Sequence, residues 1–277
     1  MGRHASPTAP TTATEALSPA GPRPDGPALE PIATARELVK VYGAGETAVR
    51  ALDGVDVDFG RAQLTAIMGP SGSGKSTLMH CMAGLDTPTS GSVVVDGVEI
   101  SRMSQRQLTK LRRTRIGFVF QSYNLVPTLT AEENIRLPLD IARAPVDQER
   151  FDTVVRAVGL EDRLHHRPTE LSGGQQQRVA AARALIARPA VVFADEPTGN
   201  LDSRSAAEVL GFLRSSVEDL GQSVVMVTHE PTAAAYAHRV LFLADGRLEG
   251  ELLDPDASTI LEALGELTDA RESRRTA

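Results

Sequence analysis

The stretch "LTAIMGPSGSGKSTLMHCM" (64–82) decides the fold. Its opening, "LTAIM", reads as a short buried strand. Leu78, Met82 and Leu85 share one face of the helix expected to follow, which ends near Gly84. Between strand and helix, "GPSGSGKS" (69–76) fits G-x-x-x-x-G-K-[ST] in the context this motif requires. Each residue type has a physical reason. Gly69, Gly72 and Gly74 let the backbone turn so that the N–H groups of the loop, whose other members are Pro70, Ser71 and Ser73, converge on phosphate oxygens. The helix start adds its partial positive charge. Lys75 is placed to reach the β- and γ-phosphates, Ser76 to ligate Mg²⁺, and Thr77 to add a hydrogen bond to a phosphate. The bland alternative is a glycine-rich loop with an accidental lysine.

Such a loop needs a carboxylate on a facing strand. "AVVFADE" (190–196) supplies it: Asp195 ends an apolar run and Glu196 follows. An acid leaving a buried strand is costly without a partner or a task. Asp195 is assigned to Mg²⁺ through water, and Glu196 to polarising the attacking water. The competing view is a surface turn with two solvated acids. A second anion site lies in "LSGGQQQR" (171–178). Ser172 caps a helix, with Gln175 completing a capping box. Gly173 and Gly174 cost helix stability, but they suit a place where bare N–H groups approach an anion.

Working outward, strands are expected at 34–42, 55–59, 116–121 and 223–229, and hairpins around Asp96-Gly97 and Asp245-Gly246. Helices are expected through most of 128–170, the first opened by Thr130 with Glu133. Others are expected at 172–188, near 203–219 before Gly221, and at 256–267 with Thr259 and Glu262 as its box. Strands alternating with helices imply an α/β fold with a mainly parallel sheet covered on both faces. The hairpins and the helical stretch read as an antiparallel β subdomain and an α-helical subdomain (about 124–172) added to that core. Residues 1–30 hold six prolines and no Val, Ile or aromatic residue, so they are expected to be a disordered tail. The ordered domain should span 31–267, with 268–277 frayed. The run "KLRRTR" (110–115) reads as a solvated face, with anionic lipid headgroups or a membrane partner's loop as the alternative.

The chain has 277 residues, 41% of them apolar, enough for a sizeable core. Its 29 basic and 36 acidic residues give a net charge of −7. That balance argues against a nucleic-acid binder. The single cysteine, Cys81, excludes an internal disulfide framework and reads as packing. No apolar run approaches the ~20 residues of a membrane-spanning helix, so membrane work would need a partner.

These motifs together resemble the ABC-transporter ATPase family over about residues 33–250. "LSGGQQQR" is similar to its signature, and "ADEPTGNLD" (194–202) to its Walker B, catalytic glutamate and D-loop. "FQSYNLVPTLTAEEN" (120–134) resembles the macrolide-export, lipoprotein-release and cell-division branch. The resemblance implies a P-loop NTPase core that uses ATP and Mg²⁺. Gln121 becomes a Mg²⁺ or water contact sensing the γ-phosphate, His229 a γ-phosphate contact, and Tyr42 the aromatic that stacks on adenine. Each has a plainer reading as a strand-end polar residue, a satisfied histidine or a packing tyrosine. Asp202 becomes a contact across a dimer, which does not exclude its capping the next helix. The resemblance further implies a head-to-tail homodimer with ATP at its interface. In it each signature caps the γ-phosphate held by the other copy. It also implies a separate transmembrane permease, and hence a cytoplasmic chain peripheral on the inner face of the membrane, with export or extraction as the task. A soluble ABC-type ATPase of DNA repair or chromosome organisation is the alternative. It is disfavoured because only 120 residues separate Lys75 from Asp195, and no sustained heptads intervene. Force transmission without transport is a further possibility.

Overall fold

The computed structural model describes residues 31–276. The tail expected over 1–30 lies outside the described residues. Two sheets organise the chain. One is antiparallel, in the order β2-β1-β4-β5, with β1 Pro31–Tyr42, β2 Val49–Gly60, β4 Ser90–Val95 and β5 Val98–Glu99. The other has six strands in the order β10-β9-β3-β8-β7-β6. Its members are β3 Leu64–Met68, β6 Ile116–Phe120, β7 Val191–Asp195, β8 Ser223–Val227, β9 Arg239–Ala244 and β10 Arg247–Leu253. All its pairings are parallel except the closing β9–β10 hairpin.

The apolar central strands follow from their burial on both faces. Alternate residues enter two different cores. Leu64, Ala66, Met68, Val192 and Ala194 face one, with α3 Ala131–Ala142, α4 Gln148–Ala157, α5 Gly173–Ile186 and α6 Ser203–Leu220. Ile67, Phe193, Val225 and Leu241 face the other, with α1 Lys75–Met82 and the antiparallel sheet. Cys81 is buried in this second core, and burial pushes its thiol up to about 12, as a packing role requires.

Two sequence expectations change. The last helix, α8, runs from Ala257 to Thr276, so residues expected to fray continue it. Its start is held by Asp256, whose carboxylate accepts the Thr259 N–H at 2.8 Å, rather than by Thr259. A helix not expected from sequence, α2 Gln105–Arg115, precedes β6. It opens on a complete Ser104–Gln107 capping box, hidden in a strongly polar stretch. On it, Arg112 donates to the Gly84 carbonyl and Arg115 pairs with Asp96, while Lys110 and Arg113 stay exposed.

After the short α7 (Pro231–Ala234), a buried ion pair of β9 and β10 fastens the sheet edge to the antiparallel layer. Arg239 Nε donates to Glu251 at 2.7 Å, and its Nη1 donates to the Asp58 carbonyl at 2.6 Å. Both side chains are more than nine-tenths buried. Glu251→Ala leaves that guanidinium unpaired, and is expected to lower unfolding stability by about 3–5 kcal/mol in a urea titration. A loss below about 1 kcal/mol would show the pair to be dispensable.

Candidate active site

Four adjacent strands bring the motifs together. Parallel register places Phe120 beside Asp195 and Asp195 beside Val227. Gln121, Glu196 and His229 therefore leave neighbouring carboxyl ends, and the phosphate loop leaves β3 next to β8. Ligands of parallel α/β sheets bind at that edge.

The loop itself can be built only from glycine at two points. Gly69 has φ 148°, and a Cβ there would lie 1.9 Å from the Leu243 carbonyl oxygen. Gly74 has φ 103°, and its Cβ would lie 2.3 Å from the Ala51 carbonyl oxygen. Strand β2 of the antiparallel sheet and the end of β9 thus press the loop from outside. Gly74 starts α1 in the left-handed region with no side-chain cap, so the helix presents unsatisfied N–H groups to a ligand. Lys75 Nζ donates to the carbonyls of Gly69 and Pro70, both at 2.8 Å. Burial depresses the Lys75 pKa, opposed by the carboxylates of Glu196 and Asp195. Ser73 is buried, its hydroxyl unpartnered, whereas Pro70, Ser71, Gly72 and Ser76 are exposed and Thr77 half-buried.

Ser76 Oγ lies 3.4 Å from Asp195 Oδ1. Among the described residues, no group of three His, Cys, Asp or Glu could by itself hold a metal. A single carboxylate with a hydroxyl fits Mg²⁺, which completes its shell with phosphate oxygens and water. Glu196 sits at φ 46°, a strained backbone for a non-glycine residue and one found at functional sites. Its carboxylate is 2.9 Å from His229 Nδ1. The Gln121 side-chain amide donates to Asn200 Oδ1 at 3.3 Å, and the Gln121 backbone carbonyl accepts from Asn200 Nδ2 at 3.1 Å. Gln121 is thus tied to the loop after Glu196.

Tyr42 is exposed, with its hydroxyl donating to Asp86 at 2.7 Å and the Lys40 ammonium 4.8 Å from its ring centroid. Burial and the neighbouring Asp86 carboxylate raise the phenol's pKa. Asp202 caps α6, accepting the N–H groups of Arg204 at 3.1 Å and Ser205 at 3.0 Å. The Ser172–Gln175 capping box is complete. The two glycines have an internal reason as well: a Cβ on Gly173 would lie 2.9 Å from the Tyr123 hydroxyl, and one on Gly174 would lie 2.6 Å from Ser205 Oγ.

A cavity of about 520 Å³ is lined by Gly69, Pro70, Ser71, Lys75, Glu196 and His229. Its other wall was not legible in the sequence: Leu264, Leu267, Thr268 and Arg271 of α8 close it, with Arg271 paired to Asp245. Residues 172–175 are not among its walls.

Comparison with known proteins decides what this geometry belongs to. A family profile described as ABC transporter matches residues 52–199. The chain belongs to the ABC transporter family. It is an ABC ATPase subunit, and relatives agree along most of its length. An uncharacterized ABC transporter ATP-binding protein of Thermotoga maritima is 48% identical over 216 residues, 77% of this chain and 92% of the relative. The bacitracin export ATP-binding protein BceA of Halalkalibacterium halodurans is 42% identical over 82% of this chain and 90% of its own. The macrolide export ATP-binding/permease protein MacB 1/2 of Paracoccus denitrificans is 48% identical over 79% of this chain, but the match spans only 33% of that longer protein. Among solved structures, a dimeric post-hydrolysis state of the ATP-binding cassette MJ0796 bound to ADP and Pi superposes on the ABC ATPase with a TM-score of 0.72. It is 39% identical, over 80% of this chain and 99% of the other.

Proposed function

We propose that the chain works as half of a head-to-tail homodimer that closes on two ATP molecules and drives a separate transmembrane permease. One observation carries this: the phosphate loop, Glu196 and His229 share a cavity, while the second anion-binding helix start at 172–175 stands outside its walls. A signature helix start outside that cavity is what a twofold partner would use. The dimeric ADP- and Pi-bound cassette supports the same reading.

Gly69 to Thr77 hold the phosphates, with Lys75 turning its ammonium from the loop carbonyls toward them. Tyr42 offers its ring to adenine. Ser76 and Asp195, with Gln121, would hold Mg²⁺, which would neutralise charge on the phosphates. Glu196 accepts a proton from the water that attacks the γ-phosphate. His229, hydrogen-bonded to Glu196, contacts the same group. Products are ADP and inorganic phosphate, the proton passing from Glu196 to solvent. Loss of the γ-phosphate removes the contacts that favour the closed pair, which is the differential affinity a ligand-driven movement needs. Asp202 faces the partner from the start of α6.

Among the described residues no helix is long and apolar enough to cross a membrane; the proposed arrangement puts the permease in a separate chain, with this one beneath it on the cytoplasmic face. The names of BceA and MacB favour export or extraction.

Ser172→Asp tests the arrangement. Aspartate preserves the helix cap but places a negative charge against the partner's γ-phosphate. ATP binding by dilute monomer should stay within twofold in equilibrium dialysis, while turnover falls at least tenfold. Undiminished turnover would remove residue 172 from the reaction centre.

A further inference from the structure

The loop after Gln121 is strained and held down from α5. Tyr123 and Asn124 are successive non-glycine residues in the left-handed region, at φ 57° and 50°. Such residues cost on the order of 1 kcal/mol each and persist where the surroundings fix them. What fixes them is Arg183, in the last turn of α5. Its Nη2 donates to the Tyr123 carbonyl at 2.8 Å and its Nη1 to the Asn124 carbonyl at 2.6 Å. A fork of this kind holds two carbonyls at once, which a lysine cannot reproduce.

At the other end of the same tyrosine, the hydroxyl reaches Gly173, where even a Cβ would stand 2.9 Å away. Gly173 and Arg183 are ten positions apart, about 15 Å along the helix. Tyr123 therefore lies along α5, its hydroxyl against the signature glycine and its backbone clasped by the Arg183 side chain, which reaches back from near the carboxyl end. A second tie runs in parallel. The buried Gln177 amide donates to the carbonyls of Phe120, at 3.2 Å, and Pro197, at 2.5 Å. These flank Gln121 and Glu196 in sequence.

We infer that Tyr123 is a positioning residue. Clasped by Arg183 and seated on Gly173, it converts the position of the loop after Gln121 into the position of the signature helix start. It thereby sets how closely that start can approach a second copy's nucleotide. This rests on the half-site reading above, and assigns the coupling to a side chain that touches no ligand. The ring acts as a strut, so its bulk matters more than its hydroxyl.

The test uses the full chain in the Glu196→Gln form, with Tyr123→Ala, Tyr123→Phe and Arg183→Lys added singly. Three quantities are read: the ATP Kd at a dilution that keeps the protein monomeric, the ATP concentration for half-maximal dimerisation, and Tm. Tyr123→Ala should leave the monomer Kd within twofold and raise the ATP needed for dimerisation at least tenfold. Tyr123→Phe should remain within threefold of the parent. Arg183→Lys should fall between them. The inference is overturned if Tyr123→Ala dimerises at the parent's ATP concentration. It is also overturned if Kd, dimerisation and Tm deteriorate together in Tyr123→Ala and Tyr123→Phe alike, which is the pattern of a merely structural residue. A parent that never dimerises with ATP would instead sink the half-site reading itself, and this inference with it.

Discussion

Replacing Glu196 by glutamine should abolish steady-state ATP turnover, by roughly 10²–10⁴-fold, the usual contribution of a positioned base. The substitution is nearly isosteric. It keeps a hydrogen-bonding group at the strained φ 46° corner, within reach of His229 Nδ1, which lies 2.9 Å from the native carboxylate. What it removes is the capacity to accept a proton. Binding should survive because the phosphate loop, with its Lys75 contacts and uncapped helix start, is untouched. Chemistry would then stop with ATP bound, and a stable dimer should accumulate on size-exclusion chromatography with ATP but not with ADP. Phosphate release above about a tenth of the parent rate would remove Glu196 from its role as base.

Lys75→Ala should act at the earlier step. A hydrogen bond to a charged group is worth about 1.5–3 kcal/mol, so ATP affinity should weaken roughly 10- to 150-fold. The ammonium also clasps the carbonyls of Gly69 and Pro70, so the empty loop loses order as well. Equilibrium dialysis against ATP reads the loss directly, and a parallel Tm measurement separates it from unfolding. An affinity within twofold of the parent would contradict the cradle. Because β3, α1 and their flanking strands keep their apolar contacts, Tm should change little.

The phosphate loop was legible because its chemistry is local. A strand, three glycines that must turn and a lysine occupy twelve consecutive positions, 64–75, and the close approaches of Gly69 and Gly74 show why nothing larger fits there. Capping boxes at Thr130 and Ser172 were legible for the same reason. Asp195 was legible as an acid ending an apolar strand, but the convergence of Gln121 and His229 on it was not visible in spacing. Their roles came from resemblance, and the strand order β6-β7-β8-β3 gives the physical basis. The α2 helix was missed because its polar sequence buries only Leu108 and Leu111, too few for a clear stripe. The α8 wall was missed because Leu264, Leu267 and Arg271 belong to no motif and reach the cavity through tertiary packing. Tyr123 escaped notice for a similar reason: its partners, Gly173 and Arg183, lie 50 and 60 positions away in the chain. Signature glycines read as serving an anion alone turn out also to make room for Tyr123 and Ser205.

The central claim is that one chain supplies only half of each reaction centre. The most direct measurement is the ATPase rate per subunit across a dilution series at saturating ATP and Mg²⁺. The account predicts that the specific rate falls toward zero on dilution, with total rate varying as the square of protein concentration where monomers dominate. A specific rate that stays constant down to concentrations where only monomer is present would contradict it.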